Sequence, residues 1–225
     1  MLRMAAVSQP PDGGLPRLLW LHSAGLHADL AASLHRARRL PPRGSWPVAM
    51  LLERGQYQVV PAEAPDVPPE DWRDALRWRL KDQLEFPAQD AAIDVLPLPA
   101  QAGLRARHSV FTVAAPSSAL RHLGRAAEDA GWRCDAFEVA ETALRQLSGR
   151  LASPGRGHAL LHLGSTHATL VITLAGGLLQ SRQIEVSGDA LTGDDPAARA
   201  QALERAGLEL QRTLDGFDRV HSQVV

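Results

Sequence analysis

The stretch "ALLHLGSTHATLVITLAGGLLQSRQIEV" near the middle of the second half sets two small-residue breaks, Gly164-Ser165 and Gly176-Gly177, into an apolar, β-branched run. A Gly-rich turn of this kind can offer backbone N–H groups to phosphate oxygens, while a carboxylate at the strand end would hold a hydrated Mg²⁺. The carboxylate is missing here. Gly-X between two apolar runs is also the two-residue hairpin whose twist matches that of its strands, and this plainer reading is the favoured one. With Gly164-Ser165 as the turn, Leu163 is expected opposite Thr166 and His162 opposite His167. That register puts Leu161, Leu163, Ala168, Leu170 and Ile172 on one face and His162, His167, Thr169 and Thr173 on the other, a parity that a one-residue slip would destroy.

The remaining chemistry-bearing residues give weaker patterns. His162 and His167, with His158 on the same strand, could approach one metal ion, but no Cys or acid lies nearby in sequence to complete a shell. No metal site is therefore expected. Cys134, the single cysteine, has no adjacent His and reads as a small buried apolar residue rather than a nucleophile. Arg36, Arg38, Arg39 and Arg43 form the one notable basic cluster, read first as a solvated edge and second as a contact for phosphates, a partner or a membrane surface. Trp72 and Trp78 project to different sides of a helix, so one of them must leave the core stripe. The signatures GxxxxGK[ST], GxSxG, HExxH and GxGxxG are all absent.

These residues need a scaffold, and the chain can build one. Its 225 residues suffice for one large or two small domains, and 45% apolar composition with a net charge of −1 excludes a disordered chain or a uniformly basic nucleic-acid binder. All 24 basic residues but Lys81 are Arg, a coding bias rather than a functional signal. One cysteine permits no internal disulfide, which suits a reducing compartment. The N-terminal stretch "LPRLLWLHSAGLHADLAASLH" is broken by three His, an Asp and a Gly, so neither a signal peptide nor a spanning helix is expected.

Along the chain, residues 1–16 read as a loose tail, and 17–40 leave strand and short helix both open. "WPVAMLLERGQYQVVPAEAP" reads as a β-hairpin about "ERGQ". A helix follows over 68–86, with prolines first, acids next and Pro87 as its stop, carrying a stripe of Trp72, Ala75, Leu76, Leu80 and Leu84. "AAIDVLPLP" and "HSVFTVAAP" read as strands, and "SSALRHLGRAAEDAG" as a helix capped by Ser117 or Ser118 and stopped by Gly131. "WRCDAFEV" is a further strand, 140–150 a helix, and "SPGRGH" a linker between halves. After the three-strand meander comes a long helix capped by Asp195, with Leu203, Gly207, Leu210, Leu214 and Phe217 as a stripe that wants a partner. Left uncovered by any further elements, that stripe is an assembly surface. "VHSQVV" reads as the start of another strand.

Four blocks taken together resemble the MSHA-pilus biogenesis protein MshI and the related type IV pilus assembly protein PilM. They are "LLERGQYQVVPAEAPDVPPEDWRDALRWRLKDQLEFPAQDAAIDVLPLP", "VFTVAAPSSALRHLGRAAEDAGWRCDAFEVAETALRQL", "LLQSRQIEV" and "LELQRTLDGFDR", in the family's order and covering about residues 46–219. The resemblance implies an α/β actin-like ATPase (ribonuclease H-like) fold with an inserted small α+β subdomain and an incomplete second lobe. Its implied divisions are a tail at 1–16, first lobe at 17–65, insertion at 66–138, a returning helix and linker at 139–157, and second lobe at 158–225. It implies a cytoplasmic scaffold, held at the inner-membrane face through partners, that binds the N-terminal segment of a PilN-type inner-membrane protein and contacts further platform components, without nucleic acid. Gly164, Ser165 and Thr166 then occupy the place of a phosphate-binding hairpin, with ATP and Mg²⁺ as the cofactor where one is bound. The family's pattern there, roughly D-[IV]-G-x-x-[ST]-T, is broken by His162 at the acid and by His167 and Ala168 at the hydroxyls. The first phosphate loop and the adenine-side Gly-Gly loop have no counterpart, so a non-catalytic scaffold is expected. The alternatives are an ATP-binding member and a GspL-like lobe of type II secretion.

Overall fold

The computed structural model describes residues 2–11, 14–25, 29–41, 46–99 and 109–220. By backbone proximity the chain divides into two compact units, residues 1–52 with 115–138 and residues 53–114 with 139–225.

The first unit begins with strands β1 (Leu2–Ser8) and β2 (Arg17–Ala24), an antiparallel ribbon. Residues 2–8 are thus no loose tail: alternating Leu2, Met4 and Ala6 pair with Ala24, His22 and Trp20. Both options left open for 17–40 are used, because helix α1 (Leu30–Ala37) follows, capped by the Asp29 carboxylate accepting from the Ala31 N–H at 3.0 Å. Strand β3 (Val48–Leu51) pairs in parallel with a strand far along the chain, Cys134–Glu138. The hairpin expected about "ERGQ" does not form. β3 and the next strand, β4 (Gln58–Glu63), join different sheets, and Glu53–Gln56 is a turn between them, closed by the Gln56 N–H on the Glu53 carbonyl at 3.0 Å.

The second unit takes up the chain at residue 53. A 3₁₀ turn at Pro69–Asp71 leads into α2 (Trp72–Arg79), which ends well short of residue 86. The stripe is nonetheless apt: Leu76 and Leu80 are buried against Val110, with Trp72 and Leu84 at the border. Strands β5 (Ala91–Pro97) and β6 (Ser109–Pro116) complete a sheet in the order β4-β6-β5, with Pro61 on an edge strand where a missing N–H costs nothing.

Helix α3 (Ser117–Asp129) and strand β7 (Cys134–Glu138) return to the first unit. Pro116, not Ser117 or Ser118, holds the cap position of α3 and makes no side-chain cap bond. The core here is Leu34, Ala126, Ala127 and Ala130, closed by Leu2, Met50, Trp132 and Cys134.

Helix α4 (Ala140–Leu151) starts the last stretch of the second unit, followed by β8 (His158–Leu163), β9 (Ala168–Leu174) and β10 (Gly177–Ile184), an antiparallel meander in the order expected. Ala175 (φ 49°) and Gly176 (φ 76°) make its second turn, the two positive φ values of a type I′ hairpin. Every residue of β9 is buried. On one face Val171 and Leu178 meet Leu144 of α4 and Phe111; on the other Ala168, Leu170, Ile172 and Leu179 meet a long helix. That helix is α6 (Pro196–Val220), preceded by the short α5 (Gly188–Thr192) and capped by the Asp195 carboxylate, which accepts from the Ala197 N–H at 2.9 Å. Its packed stripe is Ala202, Ala206, Leu210, Thr213 and Phe217. Of the expected stripe, Leu210 and Phe217 face inward, while Leu203, Gly207 and Leu214 are exposed, because the sheet covers only one side of the apolar arc. Residues 221–225 of the expected further strand lie outside the described residues.

Candidate functional site

The Gly164 hairpin joins β8 to β9 with a longer loop than the spacing suggests. Leu163 pairs with Ala168 and His162 with Thr169, so 164–167 form the loop and the expected pairs with Thr166 and His167 do not occur. A shift of two residues on one strand preserves the face of every side chain, so the expected parity survives except for His167, now in the loop.

The loop is braced from within and from behind. The Gly164 N–H donates to the His167 carbonyl at 2.9 Å, and the Gly164 carbonyl accepts from the Gly188 N–H at 2.6 Å. A Cβ on Gly164 would lie 2.8 Å from the His167 oxygen, and one on Gly188 would lie 2.8 Å from the Gly164 oxygen. Both positions therefore demand glycine by close backbone approach. Thr166 Oγ1 and His167 Nδ1 share a hydrogen bond of 3.0 Å.

Around the loop lie Arg54, His162, Glu141 and Tyr57. Burial pulls the His167 imidazole below its ordinary range, the charges of Arg54 and His162 push the same way, and Glu141 pulls against them. Glu141 is 3% exposed in the first turn of α4 and accepts a hydrogen bond from the Tyr57 hydroxyl at 2.7 Å. Burial, then the neighbouring Glu141 carboxylate, hold the Tyr57 phenol well above its ordinary value. This buried pair escapes the sequence reading because its partners are separated by 84 positions. The only hint is that Tyr57 is the sole tyrosine.

His158 has a different task. Its Nδ1 lies 2.7 Å from Ser148 Oγ, which lies 2.7 Å from Thr173 Oγ1, and Thr173 Oγ1 donates to the His158 carbonyl at 3.4 Å. Thr173 has one hydroxyl proton, so Ser148 must donate to Thr173 and accept from His158 Nδ1–H. The three groups form a closed ring that ties α4 to β8 and β9. His158, His162 and His167 do not converge, and the described residues include no group of three His, Cys, Asp or Glu side chains placed to share a metal.

The other candidates fall as follows. Cys134 Sγ lies 3.3 Å from the Ala136 carbonyl, and burial raises its thiol above the ordinary range, so it stays protonated at neutral pH. Arg36, Arg38 and Arg39 are exposed at the end of α1, and Arg43 lies outside the described residues. The Trp72 indole donates to the Val67 carbonyl at 3.0 Å, whereas Trp78 is 63% exposed.

No protein-family model and no curated protein matches the sequence. Three solved structures are similar in fold. The "PilM-PilN type IV pilus biogenesis complex" matches with a TM-score of 0.70 and 22% identity over 96% of this chain and 74% of that one. The cytoplasmic domain of EpsL, an inner-membrane component of the type II secretion system of Vibrio cholerae, matches with a TM-score of 0.53 and 15% identity over 80% of this chain and 65% of that one. A protein with an actin-like ATPase fold and unknown function from Bacteroides thetaiotaomicron matches with a TM-score of 0.50 and 11% identity, over 92% and 72%. The chain has the actin-like ATPase fold.

This fold implies Mg²⁺-nucleotide, and the residues at the Gly164 hairpin do not fit it. Mg²⁺ needs oxygen ligands, and the strand end offers the His162 imidazole. The nearby carboxylate, Glu141, is buried and already bonded to Tyr57. The Gly164 N–H, one of the loop's donors, is committed to the His167 carbonyl.

Proposed function

We propose that the chain is a non-catalytic cytoplasmic scaffold of a type IV pilus assembly platform, of the MSHA kind, which docks the N-terminal segment of a PilN-type inner-membrane protein. The observation that carries this reading is the match to the PilM-PilN complex along 96% of the chain, combined with a hairpin whose Gly164 N–H is committed to the His167 carbonyl. The expected division into an insertion at 66–138 is not carried over, because β7 pairs with β3 and α3 packs in the first unit, while β4 shares a sheet with β5 and β6. In this reading Gly164, Ser165 and Thr166 keep the place of a phosphate hairpin and serve as a structural turn. Contact with the membrane is indirect, through the partner.

Calorimetric titration with the N-terminal peptide of a PilN-type partner tests the proposal. Saturable binding by the folded protein is expected, and a silent titration counts against it. The likeness to the EpsL cytoplasmic domain favours a second reading, a secretion-system lobe, which capture of a secretion partner in place of the pilus peptide would support.

A further inference from the structure

The basic cluster that the sequence singles out has no task in the pilus reading, and in the first unit it borders a groove. Helices α1 and α3 pack through Leu34, Ala126, Ala127 and Ala130, and both line a hollow of about 420 Å³. Ala31, Ala32, His35 and Arg36 of α1 and Asp129 of α3 form it, and its lining is mostly apolar. Ala32, Arg36 and Arg39 follow one another at steps of four and three residues, so the row runs out of the hollow past the end of α1. The backbone there is still helically bonded, with the Arg39 N–H on the Arg36 carbonyl at 3.3 Å and the Leu40 N–H on the Ala37 carbonyl at 3.1 Å. Arg38 is used otherwise. Its guanidinium lies against Gly131 (φ 78°), where a Cβ would run into it. Arg36 and Arg39 are exposed, and among the described residues neither they nor Asp129 has a side-chain hydrogen bond or ion pair. Leu40, beside them in the chain, is 45% exposed.

We propose that the α1–α3 groove docks a short acidic segment of a partner protein, which seats one apolar side chain on Ala31 and Ala32 and sets its carboxylates against Arg36 and Arg39. Two stretches of helix line the hollow, too few to enclose a free small molecule, whereas a chain that continues along the arginine row is held at several points. Asp129 decides among anionic occupants. Phosphate oxygens, from a lipid headgroup or a nucleic acid, bring it acceptors only, while a peptide brings backbone N–H donors together with its acids. A second copy docked groove to groove would set Arg36 and Arg39 against their own counterparts. The groove and its two unpaired arginines carry this inference, which does not rest on the pilus reading.

The test uses the full chain and a labelled, end-blocked peptide, Glu-Asp-Leu-Glu-Asp, read by fluorescence anisotropy. Saturable binding is expected. Arg36→Glu and Arg39→Glu change exposed side chains and should each weaken it about tenfold, the worth of about one charge-assisted hydrogen bond. Lys in place of the four peptide acids should restore binding to the doubly substituted protein. Ala32→Leu fills the hollow and leaves every charge in place, and it should weaken binding about tenfold as well. Ser for the peptide Leu asks the same question of the unaltered protein and should give the same loss. Absence of saturable binding overturns the proposal. Loss with the arginine variants but indifference to both Ala32→Leu and the Ser peptide also overturns it, leaving a solvated basic edge. Arg36-dependent binding of anionic phosphatidylglycerol vesicles with none of the peptide would overturn it in favour of a membrane surface. A dimer by light scattering that Arg36→Glu dissolves, with no peptide bound, would make a second copy the occupant and overturn it too.

Discussion

Tyr57 and Glu141 hold the second unit together by a bond whose strength depends on burial. Folding keeps the phenol protonated, so its contribution is complete below the ordinary tyrosine value of about 10 and is lost as pH rises above it. With one tyrosine in the chain, the tyrosinate absorbance reports this group alone. Its titration should be displaced to high pH in the native protein and return to the ordinary value in denaturant. Tyr57→Phe leaves a buried carboxylate unpaired and should cost about 1–3 kcal/mol, measured by urea unfolding at neutral pH. His167 works in the opposite sense. Its native imidazole titrates below the unfolded value, so the unfolded chain binds the extra proton and stability falls as pH drops below about 6.5. His167→Gln should flatten that acid slope, seen as unfolding midpoints that no longer decline over this window.

The hairpin and its supports are an element-scale matter. Gly164→Ala or Gly188→Ala drives a methyl against a backbone oxygen, and about 1–3 kcal/mol of destabilisation is expected from the overpacking, read as a lowered Tm. Ser148→Ala opens the ring linking α4 to β8 and β9, leaving Thr173 and His158 short of a partner, and should cost a similar amount. The two tryptophans of α2 separate packing from surface. Trp78→Ala should change stability by no more than about 0.5 kcal/mol, whereas Trp72→Ala, at the border of the Leu76 core, should cost several times that. This part of the architecture was legible because its signals are local. Prolines before α2, Gly131 after α3 and Asp195 before α6 act within a turn or two of their own backbone. The supposed hairpin about Gly55 was not, since two adjacent apolar runs say nothing of which distant strand each will join.

For the whole molecule the consequential question is nucleotide. Calorimetry with Mg-ATP should be silent for the folded protein, and silent again for His162→Asp, because restoring the acid leaves the Gly164 N–H bonded to His167 and Glu141 bonded to Tyr57. Heat from the variant would mean that His162 alone separates this hairpin from a working phosphate site. None of the helices among the described residues is long and apolar enough to cross a membrane. The sequence by itself determined the meander, the parity of its faces apart from His167, the helix ends at Gly131 and Asp195, and a histidine rather than an acid at position 162. Each is a local property of side-chain type and spacing. Only the tertiary structure decided the four-residue loop, the rotation that half-buries Ala206 and buries Thr213 of α6 while exposing Leu203 and Leu214, and the pairing of β3 with β7. It also decided the meeting of Tyr57 with Glu141. These depend on which surfaces meet, and a one-dimensional pattern specifies that a face is apolar without specifying what covers it.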